Sequence, residues 1–254
     1  MKKSILKNKP LVESIFELKW DIIKFQNRTD PHYRILPGAI YDRVRKKYKF
    51  HEVLPTTTMP DEVSCYIIQH RFRKSKSKWP LIQIGPGILT LNDTESYIWE
   101  DFEKRISDLL DHFIDVYPEK KILDFSEVTL RYIDAIPFDY DQNNIFDFLD
   151  RDMKLKVQFH DDLFNETGVG KSPLEYDLKF FYPINEIKGI IHARFRKGKL
   201  KNENSLIWET MTQSKDKSVI KDIKSIKSWL KKAHKLTDKW FFKMIEGNLL
   251  KRFS

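Results

Sequence analysis

Residues 11–20 (LVESIFELKW) set Val12, Phe16, Leu18 and Trp20 on one side of an extended chain and Glu13, Ile15, Glu17 and Lys19 on the other. A period of two predicts a half-buried strand. Pro37 opens a helix that runs to about Lys47. Two strands follow, 63–73 and 81–91, joined through the basic loop Lys74-Ser75-Lys76-Ser77-Lys78, and Gly85-Pro86-Gly87 puts a turn or bulge in the second. Between Tyr97 and Val116 the residues Phe102, Ile106, Leu109 and Phe113 recur at spacings of three and four, which predicts an amphipathic helix ending before Pro118.

A second cycle starts at Phe125. The segment 125–136 alternates as a strand, a short helix spans 144–153, and Leu174, Tyr176, Leu178 and Phe180 alternate with charged residues. Segments 186–196 and 205–213 supply two more strands, and a long helix begins near Val219. The order predicts an α+β protein, mainly an antiparallel sheet with helices packed on one face. It divides into two related β-α-β-β-α halves, 1–120 and 121–254, the second with the long C-terminal helix, within one compact unit. One short match supports duplication: Arg71-Phe72-Arg73-Lys74 recurs as Arg194-Phe195-Arg196-Lys197, each near a histidine, His70 or His192, and each placed at the same hairpin position.

Composition excludes several classes. A chain of 254 residues that is 41% hydrophobic, with 18 Phe, 10 Tyr and 6 Trp, is too apolar and aromatic for disorder. One cysteine, Cys65, forms no internal disulfide and completes no cysteine-rich metal site, so a cytoplasmic home is expected. The basic start, Met1 to Pro10, resembles a signal n-region, but Glu13, Glu17 and Lys19 interrupt the apolar run that would have to follow. No segment approaches the roughly 20 apolar residues of a membrane span, so no membrane association is expected.

Charge sharpens the picture. The net +9 is concentrated: residues 70–78 hold five Lys/Arg and no acid, and residues 192–201 hold five more with none. Without those ten cations the rest of the chain is close to neutral. It is also uneven, with 20 acids against 8 Lys/Arg in residues 91–166 and 12 Lys/Arg against 4 acids in residues 215–252. The candidate nucleic-acid-binding residues are therefore Arg71, Arg73, Lys74, Lys76 and Lys78 in the first hairpin, and Arg194, Arg196, Lys197, Lys199 and Lys201 in the second. Arginine forks held on a strand suit phosphate, and flanking lysines add charge without fixed geometry. Lys221, Lys224, Lys227, Lys231, Lys235, Lys239 and Lys243 share one face of the last helix and could track a phosphate backbone. The competing account is that charged hairpins only protect strand edges and that the lysine face is only solvated.

Catalytic motifs are weak. Gly168-Val169-Gly170-Lys171-Ser172 looks like the end of a phosphate-binding loop, but Asn165 stands where that motif needs glycine and Pro173 discourages the helix that must follow. His160-Asp161-Asp162 carries metal-compatible groups without a second ligand element. Cys65 sits in an apolar segment and is expected in a core strand. No catalytic residue, metal site or cofactor is assigned.

Several segments together resemble an uncharacterised family of sporadically distributed prokaryotic proteins of similar length. They are Pro10-Leu11-Val12-Glu13 with Phe16-Glu17-Leu18, Ile82-Gln83-Ile84-Gly85 with Leu91-Asn92, Tyr97-Ile98-Trp99-Glu100-Asp101-Phe102, and Leu130-Arg131-Tyr132-Ile133-Asp134. Asp134 departs from the family pattern, which more often has Asn there. The resemblance carries no activity and no catalytic residues, and its patchy distribution implies mobility of the kind found in defence islands and toxin-antitoxin pairs. The expected function is a non-catalytic module that binds DNA, RNA or another polyanion. The alternatives are an interaction subunit of a larger effector protein and a metal-dependent nuclease or phosphohydrolase.

Overall fold

The N-terminal strand predicted from alternation, β1 (Leu11–Trp20), lies in the middle of one large sheet. The computed structural model describes residues 6–25, 28–94 and 97–254, so residues 1–5 of the basic N-terminal segment lie outside it. In chain order β1 is followed by α1 (Leu36–Val44), β2 (Phe50–Val53), β3 (His70–Ser75), β4 (Lys78–Gly85), β5 (Ile88–Asp93) and α2 (Trp99–Val116). Then come β6 (Phe125–Pro137), α3 (Ile145–Met153), β7 (Asp177–Ile184), β8 (Gly189–Leu200), β9 (Glu203–Ser214), α4 (Lys217–Ile220), α5 (Ile223–Met244) and α6 (Asn248–Phe253). Among the described residues nine strands form one sheet in the order β2-β3-β4-β5-β1-β6-β9-β8-β7. Every neighbouring pair is antiparallel. The fold is α+β, as the pattern predicts.

The elements differ from expectation where local chemistry interrupts a pattern. The segment 81–91 is two strands, because Gly85-Pro86-Gly87 reverses the chain. A Cβ at Gly85 would overlap the Ile67 carbonyl oxygen, and Gly87 adopts φ +77°. Of the strand expected over 63–73 only β3 remains, and Cys65 lies in a turn before it, half-buried, its thiol on the Arg28 carbonyl at 3.0 Å. The edge strand β2 is too short and too polar to stand out from periodicity. The last helix is broken at Asp222, whose side chain caps α5 by accepting from the Ser225 N–H.

Register assigns the faces. Phe16 lies opposite both Leu91 and Leu130, and Leu18 opposite both Leu89 and Val128. These four partners belong to one buried cluster with Leu36 and Ile40 of α1, Phe102, Ile106, Leu109 and Phe113 of α2, and Ile226, Trp229 and Leu230 of α5. Ile136, Trp208 and Phe195 continue the same face into a second cluster under α3 and α6. Helices thus cover one face, and alternation sends Glu17, Lys19, Arg131, Glu209, Arg194 and Arg71 to the other.

Two resemblance motifs meet on the covered face. The Tyr97 and Tyr132 hydroxyls are 2.9 Å apart, the Tyr132 hydroxyl is 3.0 Å from His234 Nδ1, and Trp99 stacks on His234 with ring centroids 3.6 Å apart. The joint ties the start of α2 to β6 and α5, so Tyr97 and Trp99 pack the helix start.

Two buried carboxylates are handled differently. Asp30 accepts from Trp20 Nε1 at 2.6 Å, the Tyr117 hydroxyl at 3.0 Å and the His32 N–H at 2.8 Å. Asp134 is 3% exposed, and its carboxyl group makes no hydrogen bond to the described residues. Burial pushes its carboxyl up to about 8. Below about pH 4 folded and unfolded chains both carry the neutral acid; at higher pH the unfolded chain ionises while the folded chain keeps its proton. Asp134 therefore erodes stability as pH rises towards 8, by about 1.4 kcal/mol per pH unit. In urea denaturation, Asp134→Asn is predicted to gain about 4 kcal/mol on the wild type between pH 5 and pH 8; a difference independent of pH would contradict this.

Candidate polyanion interface

The two basic segments lie on β3 and β8, each one strand in from an edge of the sheet. Their positions do not match when counted from the central β1–β6 pair: β3 is the third strand out from β1, whereas β8 is the second out from β6. The four-residue identity therefore does not mark equivalent strands. Strand direction alternates across an antiparallel sheet, so β3 and β8 run the same way and deliver both turns to the same end. Six strand spacings separate them, about 29 Å before twist.

The strand arginines project onto the open face, but most have partners there. Arg194 makes a bidentate ion pair with Asp177, Nε to Oδ1 at 2.7 Å and Nη2 to Oδ2 at 2.8 Å, which holds the Asp177 carboxyl well below the usual range. Arg73 donates to Glu52 at 3.2 Å. Arg71 donates to Gln83 Oε1 at 2.8 Å, and its guanidinium is 3.9 Å from Glu52. From Gln83 the network runs through Thr90 and Asn92 to Glu13. Arg196 alone of these four has no carboxylate partner among the described residues.

The centre of this face is also neutralised. Arg131 Nη2 lies 2.6 Å from Glu209, and His192 is 3.7 Å from the other oxygen of Glu209. Burial lowers the His192 imidazole, and Arg194 and Arg131 add to that against the pull of Glu209. Burial acts to raise the Glu127 carboxyl, but Lys19 at 2.8 Å and Lys215 at 3.1 Å outweigh it.

The turn lysines differ. Lys74, Lys76 and Lys78 are exposed and have no ion-pair partner among the described residues, and the same holds for Lys199. Lys197 donates to the Leu174 carbonyl at 3.0 Å and sits 4.7 Å from the centre of the Tyr140 ring. Lys201 and Asn202 both take positive φ, 50° and 70°, and form the two-residue turn between β8 and β9.

The lysine face of α5 is partly absorbed by the acids of α2. Lys227 bonds Asp111 at 2.6 Å and Lys231 bonds Glu103 at 3.1 Å, Lys221 and Lys224 lie near the Asp222 cap, and Lys235 and Lys239 have no carboxylate partner among the described residues. The acidic middle and basic end of the chain are thus side by side, not separate poles.

The remaining candidates do not assemble. Gly168 to Ser172 lies in the link between α3 and β7, with no strand leading in and no helix following, and Lys171 is bound to Asp161 at 2.7 Å. His160 pairs with Asp162 at 3.2 Å. Among the described residues no group of three or more His, Cys, Asp and Glu side chains could hold a metal ion, and no helix is long and apolar enough to cross a membrane. One contact has no sequence signal: His51 Nε2 and His70 Nδ1 are 3.1 Å apart across β2 and β3, and burial lowers both imidazoles. The chain matches no protein-family model and no curated protein sequence.

Glu209, 8% exposed, holds the Arg131 guanidinium and lies against the His192 ring. Glu209→Ala strands Arg131 and His192, and is predicted to lower unfolding free energy by about 2 kcal/mol or more in urea titration. A loss under about 0.5 kcal/mol, typical of exposed pairs, would contradict a structural role.

Proposed function

We propose that the protein is a non-catalytic nucleic-acid-binding module that engages phosphate through the end of the sheet where both basic turns emerge. The observation that carries this reading is the division of the cations: Arg71, Arg73 and Arg194 are engaged by neighbouring side chains, while Lys74, Lys76, Lys78 and Lys199 stand exposed at one end with no ion-pair partner among the described residues. A span of about 29 Å matches eight or nine base pairs at about 3.4 Å each. Unpaired lysines on turns suit backbone contact, with little reading of base sequence. A cytoplasmic setting, and a place among mobile prokaryotic systems such as defence islands, belong to the same proposal. They rest on the lone Cys65 and on the resemblance over residues 10–136.

A second reading is an interaction subunit of a larger effector. It is favoured by the edge strand β7, where Phe181 is 59% and Tyr182 44% exposed, with Leu174 just before it at 87%. An open, aromatic edge is a ready surface for another chain.

Gel-shift titration with short DNA and RNA at two ionic strengths separates the two. The wild type is expected to bind at low salt and weaken steeply as salt rises, and the triple Lys74→Ala, Lys76→Ala, Lys78→Ala variant to lose about two to three units of the logarithmic salt slope. Arg194→Ala is expected to bind nearly as the wild type does. No shift at low salt overturns the nucleic-acid reading and leaves the second; loss of binding in Arg194→Ala alone overturns the division of cations.

A further inference from the structure

Beside the first basic turn, on the helix-covered side, three elements enclose a groove of about 550 Å³. The segment after α1 supplies Lys46, Lys47 and Lys49, β3 supplies Lys74, and the first half of α2 supplies Lys104 and Arg105. Tyr48 and Pro80, both buried, form its floor. Its two carboxylates are already engaged, Asp101 by Arg105 at 2.6 Å and Asp108 by Lys47 at 3.4 Å. Lys46, Lys49, Lys74 and Lys104 are exposed on its rim and have no acid partner among the described residues. Four like charges converging on a concave surface repel one another and focus a positive potential into it. The arrangement is complementary to an anion carrying more than one charge.

The groove opens onto a smaller recess of about 140 Å³ that shares Lys46, Lys47, Tyr48, Arg105 and Asp108. This recess adds Arg43 and His112 together with Val44, Ile82 and Leu109, the last three buried. A charged groove within the volume range of small-ligand sites, beside a smaller recess with an apolar patch, suits a molecule with an anionic end and a flat apolar end.

We propose that this groove binds a nucleotide, with its phosphates on Lys46, Lys49, Lys74 and Lys104 and its ring against Val44, Ile82 and Leu109. The nucleotide is either free or the residue of a bound strand. The inference deepens the nucleic-acid reading by giving that end of the sheet a defined seat, and it rests on that reading only for the bound-strand case. Rigid arginine forks are not required, because lysines gather around phosphate as point charges.

Isothermal titration of the full chain with ATP, adenosine and inorganic tripolyphosphate tests it. The expected result is saturable binding of one ATP per chain, weaker binding of tripolyphosphate and no detectable binding of adenosine. Lys46→Ala, Lys49→Ala and Lys104→Ala together should weaken ATP binding by about tenfold or more, whereas Lys199→Ala should not. These positions are exposed, so thermal unfolding should be unchanged and the comparison remains between folded proteins. Absence of saturable ATP binding, or unchanged affinity in the triple variant, overturns the groove; tripolyphosphate binding as tightly as ATP overturns the ring contact. Short single-stranded RNA separates the sources: competition with ATP assigns the groove to the strand, and RNA binding without competition assigns it to the free nucleotide. ATP binding without any RNA binding supports the groove while the nucleic-acid reading fails, and RNA shifts without ATP binding do the reverse.

Discussion

The structure depends on one pairing, β1 with β6. It joins the N-terminal and C-terminal parts of the chain into a single sheet, and its register runs unbroken from Glu13–Ile133 to Lys19–Glu127. Phe16 meets Leu130 and Leu18 meets Val128 across it, so the apolar stripes of the two strands coincide and the helices have one continuous surface to cover. A slip of one residue would reverse every side chain of one strand relative to the other, placing Glu17 or Arg131 under the helices. Because all the other strands are registered outward from this pair, the same pairing also determines which charges share the open face.

That placement governs what the positive charge can do. On the open face acids and bases stand close enough to neutralise one another, as with Arg194 and Asp177, Arg131 and Glu209, and Lys19 with Glu17 and Glu127. On the covered side the acids of α2 take up lysines of α5. Part of what remains unneutralised sits where the chain turns, since a two-residue turn brings no facing strand to supply an acid, and the rest lies on α5 and around the groove beside α2.

Much of the architecture is legible in the sequence because alternation survives wherever one face of a strand is buried, as in β1, β6 and β8. It fails where a strand is short and solvated, as in β2, and where backbone geometry overrides pattern, as at Gly85-Pro86-Gly87. The open-face partners were only partly visible. Arg131 could be expected to need an acid, but its pairing with Glu209 depends on β6 lying beside β9, a contact across 78 residues. The lysine groove had no signal for the same reason: Lys49, Lys74 and Lys104 are far apart in the chain and converge only through the packing of α1, β3 and α2. The repeated Arg-Phe-Arg-Lys was legible but pointed too far, since the two copies occupy strands that are not equivalent.

The central claim is that the side chains of the open face serve the fold and the lysines at one end serve the ligand. Amide hydrogen exchange followed with and without a short nucleic acid tests it most directly. Added protection is predicted at residues 46–49, 74–78 and 199–203, with the amides of β1, β6 and β7 unchanged. Protection centred on Asp177–Ile184 and the neighbouring part of β8 instead would contradict it.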